Sequence, residues 1–169
     1  SAVVEPVVDA DREMMVRDGL SIYLEGSATK GGVTKRLTLG FASDTVHADC
    51  AGERDGAFVR GLIVPPNGSD TANVVMDAGV LFGDDLFATG ALPRADAIAA
   101  ADANGDGTVT LAELSAVSLE TARGSGGLYG VGELTGVTNL GAFMEELSRR
   151  LVVSFREKGA CLAEPKTPS

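Results

Sequence analysis

The chain has 169 residues, of which 44% are hydrophobic, and it can therefore build one sizeable core. Its formal net charge of −10 repels phosphate backbones and anionic lipid headgroups, so nucleic acids and membrane surfaces are excluded as expected partners. No apolar run reaches the roughly 18 residues that a membrane-spanning helix needs. We expect one domain over residues 1–169.

The first half of the chain, residues 1–82, predicts an antiparallel β-sheet. Residues 1–19 carry valines around Pro6, which cannot donate a ladder hydrogen bond, so we expect an arm or an edge strand there. Over residues 20–41 apolar and polar side chains alternate on both sides of a pair of glycines. This pattern is typical of a β-hairpin with one face toward solvent.

Three further segments complete the predicted sheet. Residues 45–50 have the pattern of a short strand. Residues 57–64 are apolar on both faces apart from Arg60, which is typical of a central strand, and two prolines follow them. Every even position in residues 72–82 is apolar, which predicts another strand. Together with the hairpin, these segments predict four or five strands.

Residues 102–113 place oxygen-bearing side chains at the spacing that a calcium ion requires, since this hard cation takes about six to eight oxygens. Gly107, at the sixth position, allows the sharp turn, and Val109, at the eighth, provides an apolar anchor. The predicted ligands are five side chains and the backbone carbonyl of the residue at the seventh position: Asp102, Asn104, Asp106, Thr110, Glu113 and, through its carbonyl, Thr108.

These residues fill every diagnostic position of D-x-[DN]-x-[DN]-G-x5-E, and the segment resembles the calcium-binding loop of the EF-hand. The resemblance implies a helix-loop-helix over residues 83–123 that binds one Ca²⁺. A trivalent lanthanide can substitute because its radius and its preference for oxygen are similar. Thr110 and Glu113 also form a T-x-x-E capping box, which predicts that the exiting helix begins inside the loop. The remainder of the chain resembles no family.

The C-terminal third predicts a loop followed by a helix. Six glycines lie in residues 124–138, too many for a regular element, so we expect a mobile loop. Asn139 is a good N-cap, and apolar residues recur after it at helical spacing, which predicts a helix over residues 139–158. The predicted fold class is therefore α+β, with an antiparallel sheet packed by C-terminal helices that include one EF-hand.

The two cysteines, Cys50 and Cys161, stand in no metal-ligand spacing, and a disulfide is the simplest pairing. A disulfide needs an oxidising compartment, and a loop with three acidic ligands suits surroundings rich in calcium. Both observations predict an extracellular or periplasmic domain of bacterial type. Because the chain begins Ser1-Ala2 without Met, we also expect that a targeting or anchoring segment has been removed.

Composition argues against an enzyme, because one histidine and two paired cysteines leave few nucleophile and base combinations. A carboxylate-based hydrolase is the catalytic class left open, although the chain has no Trp to line a sugar cleft. A weaker hypothesis is a second metal or ligand site near the junction between strands and helices, formed from these residues: His47, Asp77, Asp84 and Asp85.

The loop and its exiting helix also resemble half of a dockerin, which implies a calcium-dependent module with a protein partner. The chain departs from that family in having one loop rather than two, and in carrying Glu113 where dockerins usually carry Asp. Sensors of the calmodulin type have a Met-rich groove, whereas the four methionines here are scattered. We therefore expect a secreted or periplasmic domain in which one calcium ion is structural.

Overall fold

A computed structural model of the chain describes residues 8–30, 32–88, 95–122, 128–150 and 152–166. Within these ranges no helix is long and apolar enough to cross a membrane. A short 3₁₀ helix spans Ala78–Phe82. The other elements are, in chain order, α1 (Asp9–Arg17), β1 (Ile22–Lys30), β2 (Val33–Phe41), β3 (Thr45–Arg54), β4 (Ala57–Arg60), β5 (Val74–Met76), α2 (Ala95–Ala99), β6 (Thr108–Thr110), α3 (Leu111–Ser115), α4 (Leu140–Ser148), β7 (Val152–Phe155) and β8 (Glu157–Pro165).

The strands form two sheets, a three-stranded one with the order β1-β2-β6 and a five-stranded one with the order β4-β3-β8-β7-β5. β1 and β2 are the predicted hairpin, paired antiparallel from Ile22 opposite Phe41 to Lys30 opposite Val33. β6 runs parallel to β2, whereas the strands of the larger sheet are antiparallel. The α+β class is confirmed. The predicted strands of residues 1–82 nevertheless divide between two sheets, and later segments complete both.

The apolar core lies between the three-stranded sheet and the helices. Because side chains alternate along a strand, β2 directs Leu37, Leu39 and Phe41 to one face, and each is at most 3% exposed. α4 contributes Phe143 to the same core, and the Phe143 ring meets that of Tyr129 edge-on at a centroid distance of 4.9 Å. Where side chains are described, the five-stranded sheet contributes one buried apolar residue, Phe155 in β7.

The predicted C-terminal helix is half as long as expected and two strands follow it. Asn139 caps α4 as predicted by accepting a hydrogen bond from the Ala142 N–H, but α4 ends at Ser148. Residues 152–165 instead form β7 and β8, and β8 pairs with β3. The apolar run there fits a helical and an alternating pattern equally, and its two valines favour strands. Pairing with β3, which lies far away in the sequence, selects the strand.

The N-terminal prediction of an arm or edge strand is wrong for residues 9–17, which form α1. Acidic residues at Asp9 and Asp11 in the first turn and Arg17 in the last turn complement the helix dipole. This arrangement of charges favours a helix over residues 9–17. Pro6 and the rest of residues 1–7 lie outside the described ranges.

The predicted central strand at residues 57–64 is wrong in length and position. β4 ends at Arg60 and lies at an edge of the five-stranded sheet. Beyond it the chain leaves the sheet at Gly61, whose φ is +62°. Two side chains then bind the backbone of Ile63: its N–H donates to Asp70 over 2.6 Å, and its carbonyl accepts from Arg54 over 3.1 Å. These side-chain hydrogen bonds replace the ladder that the apolar pattern suggested.

The predicted strand at residues 72–82 is also shortened. Only β5 is extended, and the 3₁₀ helix follows it directly. Asp77 stands between the two and accepts a hydrogen bond from the Gly79 N–H over 2.8 Å. An acidic residue that caps the following turn ends the strand, although the alternation of apolar residues continues to Phe82.

Candidate metal centre

The helix-loop-helix around residues 102–113 is present with short helices. α2 precedes the loop and α3 follows it, while residues 89–94 and 123–127 lie outside the described part of the chain. The exiting helix, expected to approach residue 123, ends at Ser115. The middle of the loop is β6, and it pairs in parallel with β2. Val109 lies opposite Leu37 and is 0% exposed, so the predicted apolar anchor enters the core.

The end of the loop is fixed by the predicted capping box. The Glu113 N–H donates to Thr110 Oγ1 over 3.3 Å, and the Thr110 N–H donates back to Glu113 Oε2 over 2.9 Å. The Thr110 hydroxyl also donates to Oε2, over 2.9 Å. The last two predicted side-chain ligands are thus joined to each other and to the first turn of α3.

The first half of the loop folds around its own polar side chains. Asp102 accepts hydrogen bonds from the N–H groups of Gly105 and Gly107, over 2.9 and 3.0 Å. Asn104 Oδ1 accepts from the Asp106 N–H over 2.8 Å, and Asp106 Oδ1 accepts from the Thr108 N–H over 2.7 Å. Such contacts define three successive turns, in each of which a side-chain oxygen folds back onto the backbone of the loop.

A lysine from outside the loop binds the first predicted ligand. Lys35 Nζ lies 2.5 Å from Asp102 Oδ2, and the Asp102 side chain is only 1% exposed. The Lys35 hydrogen bond is the main cause that lowers the pKa of Asp102 below its ordinary value. Burial raises that pKa, and the N–H groups of Gly107 and Gly105 lower it further. Asp102 is therefore a buried carboxylate that is paired with the Lys35 ammonium.

The two carboxylate oxygens of Glu113 have different surroundings. Its Oε2 is occupied by Thr110, whereas Oε1 is buried and has no hydrogen-bond partner among the described residues. A buried carboxylate oxygen without a partner is costly, and a hard cation would satisfy it. The described residues contain no preassembled group of three His, Cys, Asp or Glu side chains that could hold a metal. The donor set is instead mixed, with amide, hydroxyl and carbonyl oxygens among the carboxylates.

The hypothesis of a second site concerns four residues, and two of them lie beside one cavity. Asp77 and Asp85 line the same cavity, of about 420 Å³, together with Arg150. Asp85 Oδ1 accepts from the N–H groups of Phe87 and Ala88, which lower the pKa of Asp85. Both carboxylates therefore already serve local turns beside a guanidinium.

The other two residues of that hypothesis do not line this cavity. His47 lies on β3 in the five-stranded sheet, opposite Ala163 of β8. The Asp84 carbonyl accepts a hydrogen bond from the Gly130 N–H over 2.8 Å, in the pairing that joins this segment to residues 128–138. The structure thus brings two of the four residues together and separates them from the histidine.

Sequence reasoning missed Lys35, although a signal was present. Lys35 stands between Val33 and Leu37 on the face of β2 that is otherwise apolar. A charge on the core side of a strand is rarely left without a partner. Alternation alone therefore indicated that this lysine would meet a carboxylate, and only the pairing of β6 with β2 identifies that carboxylate as Asp102.

Comparison with known proteins finds no family model, no curated protein and no solved structure that matches this chain.

The disulfide predicted between Cys50 and Cys161 is present and joins β3 to β8.

Proposed function

We propose that residues 102–113 bind one Ca²⁺ and that the ion is structural. The observation that carries the proposal is the buried Oε1 of Glu113, which has no partner among the described residues and stands at the twelfth position of the loop. This position supplies a bidentate carboxylate in calcium loops. With two positive charges, the ion would offset most of the charge on the three acidic side chains and supply the missing partner.

The remaining predicted ligands would complete the oxygen set. Asp102, Asn104 and Asp106 lie on the turns of the first half, and the carbonyl of Thr108 and the hydroxyl of Thr110 belong to β6. Their hydrogen bonds within the loop occupy only part of the acceptor capacity of each carboxylate, which has about four lone-pair sites.

A structural role is favoured over recognition of a protein partner because the exiting helix already uses its apolar side chains internally. Leu114 of α3 is 0% exposed, and Leu111 packs against the same core. A dockerin-like module or a sensor would instead present such residues to its partner. The ion would then fasten α2, β6 and α3 to the hairpin.

Calorimetric titration of chelator-treated protein tests the binding. We expect one calcium ion per chain, and we expect Glu113→Gln to abolish binding. Glutamine keeps the capping box, so α3 should persist while one carboxylate is lost. Glu145→Gln, on the exposed side of α4, is the matched control and should bind normally. Unchanged stoichiometry and affinity in Glu113→Gln would contradict the assignment.

Hydrogen exchange and a hydrophobic dye distinguish a structural ion from a switch. Binding only to the folded state adds about 2.7 kcal/mol at a calcium concentration a hundredfold above Kd. We expect added protection confined to residues 95–122 and no new dye binding. Calcium-induced dye binding would identify a sensor instead.

We also propose an oxidising location, extracellular or periplasmic. The disulfide between Cys50 and Cys161 supports it, since such bonds persist where thiols are not kept reduced. Intact mass of native protein from its own source, measured without reductant, tests this; two alkylatable thiols would contradict it.

A further inference from the structure

Lys35 of β2 places a positive charge on Asp102, the first predicted ligand of a loop that we propose binds a second cation, Ca²⁺. Its Nζ lies 2.5 Å from Asp102 Oδ2, and the two side chains are 25% and 1% exposed. The parallel pairing of β2 with β6 brings it there: the Arg36 N–H donates to the Gly107 carbonyl over 2.8 Å, next in sequence to Lys35. The backbone pairing that anchors the loop to β2 therefore also positions Lys35 beside Asp102.

We propose that Lys35 is an internal competitor for the metal: its ammonium replaces the cation at Asp102 in the calcium-free protein and is displaced from that carboxylate when calcium binds. This inference rests on the proposed function of residues 102–113. Lys35 is thereby the residue outside the loop that sets the metal affinity. In the calcium-free protein it holds residues 102–113 in the conformation described above.

The hydrogen bonds of Asp102 explain why the two cations exclude each other. Oδ2 accepts from both Gly107 N–H and Lys35 Nζ, which fills its two lone-pair sites. Oδ1 accepts from the Gly105 N–H. A divalent ion bound to the same carboxylate would lie within a few ångströms of the ammonium, where like charges repel strongly at low exposure. Calcium binding to Asp102 therefore requires the lysine to withdraw, and the free energy of breaking the Lys35–Asp102 contact lowers the calcium affinity.

The lysine has room to withdraw. A cavity of about 400 Å³ lies beside it, between the β1–β2 hairpin and α2, and both Lys35 and Asp96 line this cavity. A long, flexible ammonium side chain can enter it and keep its charge near a carboxylate. The same cavity has mostly alanine, threonine and valine side chains elsewhere, so the stem of the lysine can pack there.

The neighbouring residue provides a matched control. Arg36 carries the same charge, but its side chain lies on the opposite face of β2, is 62% exposed and pairs with Glu25 on β1. Lys35→Met and Arg36→Met therefore remove equal charge from the chain, and only the first removes the contact with Asp102. Lys35→Gln is a second variant that keeps an N–H donor if the methionine disturbs folding.

Calcium titration of these variants by calorimetry tests the proposal. We expect Lys35→Met and Lys35→Gln to raise calcium affinity roughly tenfold or more, and Arg36→Met to change it by no more than about twofold. Without calcium, Lys35→Met should melt at a lower temperature than Arg36→Met because Asp102 loses its partner, and saturating calcium should restore it. The ¹⁵N signal of the Lys35 ammonium should shift when wild-type protein is saturated.

The outcomes separate this inference from the function on which it rests. If wild type and all variants bind one calcium with equal affinity, or if the Lys35 signal does not move at saturation, the competitor role is wrong and the calcium function stands. If neither wild type nor the Lys35 variants bind calcium, both are wrong. Tighter binding in the two Lys35 variants alone confirms the role of this lysine.

Discussion

A buried carboxylate, Asp70, ties the connection between β4 and β5 to two arginines: Arg156 and, over 3.4 Å, Arg54. Arg156, at the turn between β7 and β8, binds Asp70 over 2.5 Å, and the two side chains are only 5% and 4% exposed. The same guanidinium donates to the carbonyls of Gly61 and Thr71. One arginine thus fastens the long connection between β4 and β5 to the last hairpin, and its charge is matched by a carboxylate and by backbone oxygens.

This pair makes stability sensitive to acid. The Arg156 hydrogen bond, followed by that of the Ile63 N–H, lowers the pKa of Asp70 from 3.8 to about 2. When folding lowers the pKa of a carboxyl group, its contribution to the stability of the folded state is fully present at pH values above its ordinary pKa. We therefore expect the contribution of Asp70 to be intact at neutral pH and to disappear as pH falls from about 3.8 through about 2.

Denaturant unfolding of Asp70→Asn as a function of pH measures this contribution. The variant should be less stable than wild type at pH 7, and the difference should shrink below pH 4. Asp55→Asn is the matched control, because the Asp55 side chain is 91% exposed and should have little effect. A stability difference for Asp70→Asn that stays constant down to pH 2 would contradict the argument.

The helices of this protein are short, so their ends matter more than their intrinsic propensity. α3 has five residues and α4 has nine, well below the length at which an isolated helix is stable. Each is started by a side-chain cap, at Thr110 and at Asn139 respectively. Packing on the core and capping together therefore hold them.

Removing a cap should cost a measurable part of the stability. We expect Asn139→Ala to lower the free energy of unfolding by about 1 kcal/mol, because the Ala142 N–H loses its acceptor. Asn139→Asp retains an acceptor and should be nearly neutral. Urea unfolding of both variants decides this, and equal losses would show that the cap is not the cause.

The apolar core lies at the three-stranded sheet, whereas the disulfide lies in the five-stranded sheet. Phe143 of α4 is 1% exposed in the core, whereas Phe58 of β4 is 70% exposed on the five-stranded sheet. The disulfide joins β3 and β8, which also pair through their backbones. The two sheets are therefore stabilised by different means.

Two phenylalanine substitutions test this division. Phe143→Ala should lower the unfolding free energy by about 3–5 kcal/mol through lost burial and a cavity. Phe58→Ala, the same chemical change, should alter it by no more than about 0.5 kcal/mol. Comparable losses in the two variants, measured by denaturant unfolding, would place the core elsewhere.

The disulfide should contribute strongly because the sequence separation it closes is 111 residues. The chain-entropy model assigns such a loop about 4–5 kcal/mol, mostly by restricting the unfolded chain. We expect the double variant Cys50→Ala/Cys161→Ala to approach this loss in urea unfolding. Reductant should destabilise the wild type and leave the double variant unchanged; equal responses would contradict the prediction.

The sequence by itself determined the features that depend on neighbours along the chain. The hairpin of residues 20–41 follows from alternation around two glycines, and the caps at Thr110 and Asn139 follow from residues three positions apart. The pattern of residues 102–113 likewise belongs to one continuous segment, and its calcium site stays a prediction. Such features need no information about the remainder of the fold.

Only the tertiary structure decided features that depend on distant partners. Residues 152–165 satisfy both helix and strand patterns, and pairing with β3 selects the strand. The division of the strands between two sheets is a second such feature. Two contacts are others, and each joins residues more than 60 positions apart: Asp70 with Arg156, and Lys35 with Asp102. Hydrogen bonding and charge pairing across such separations override weak local preference, because a buried polar group without a partner is costly wherever its partner lies in the sequence.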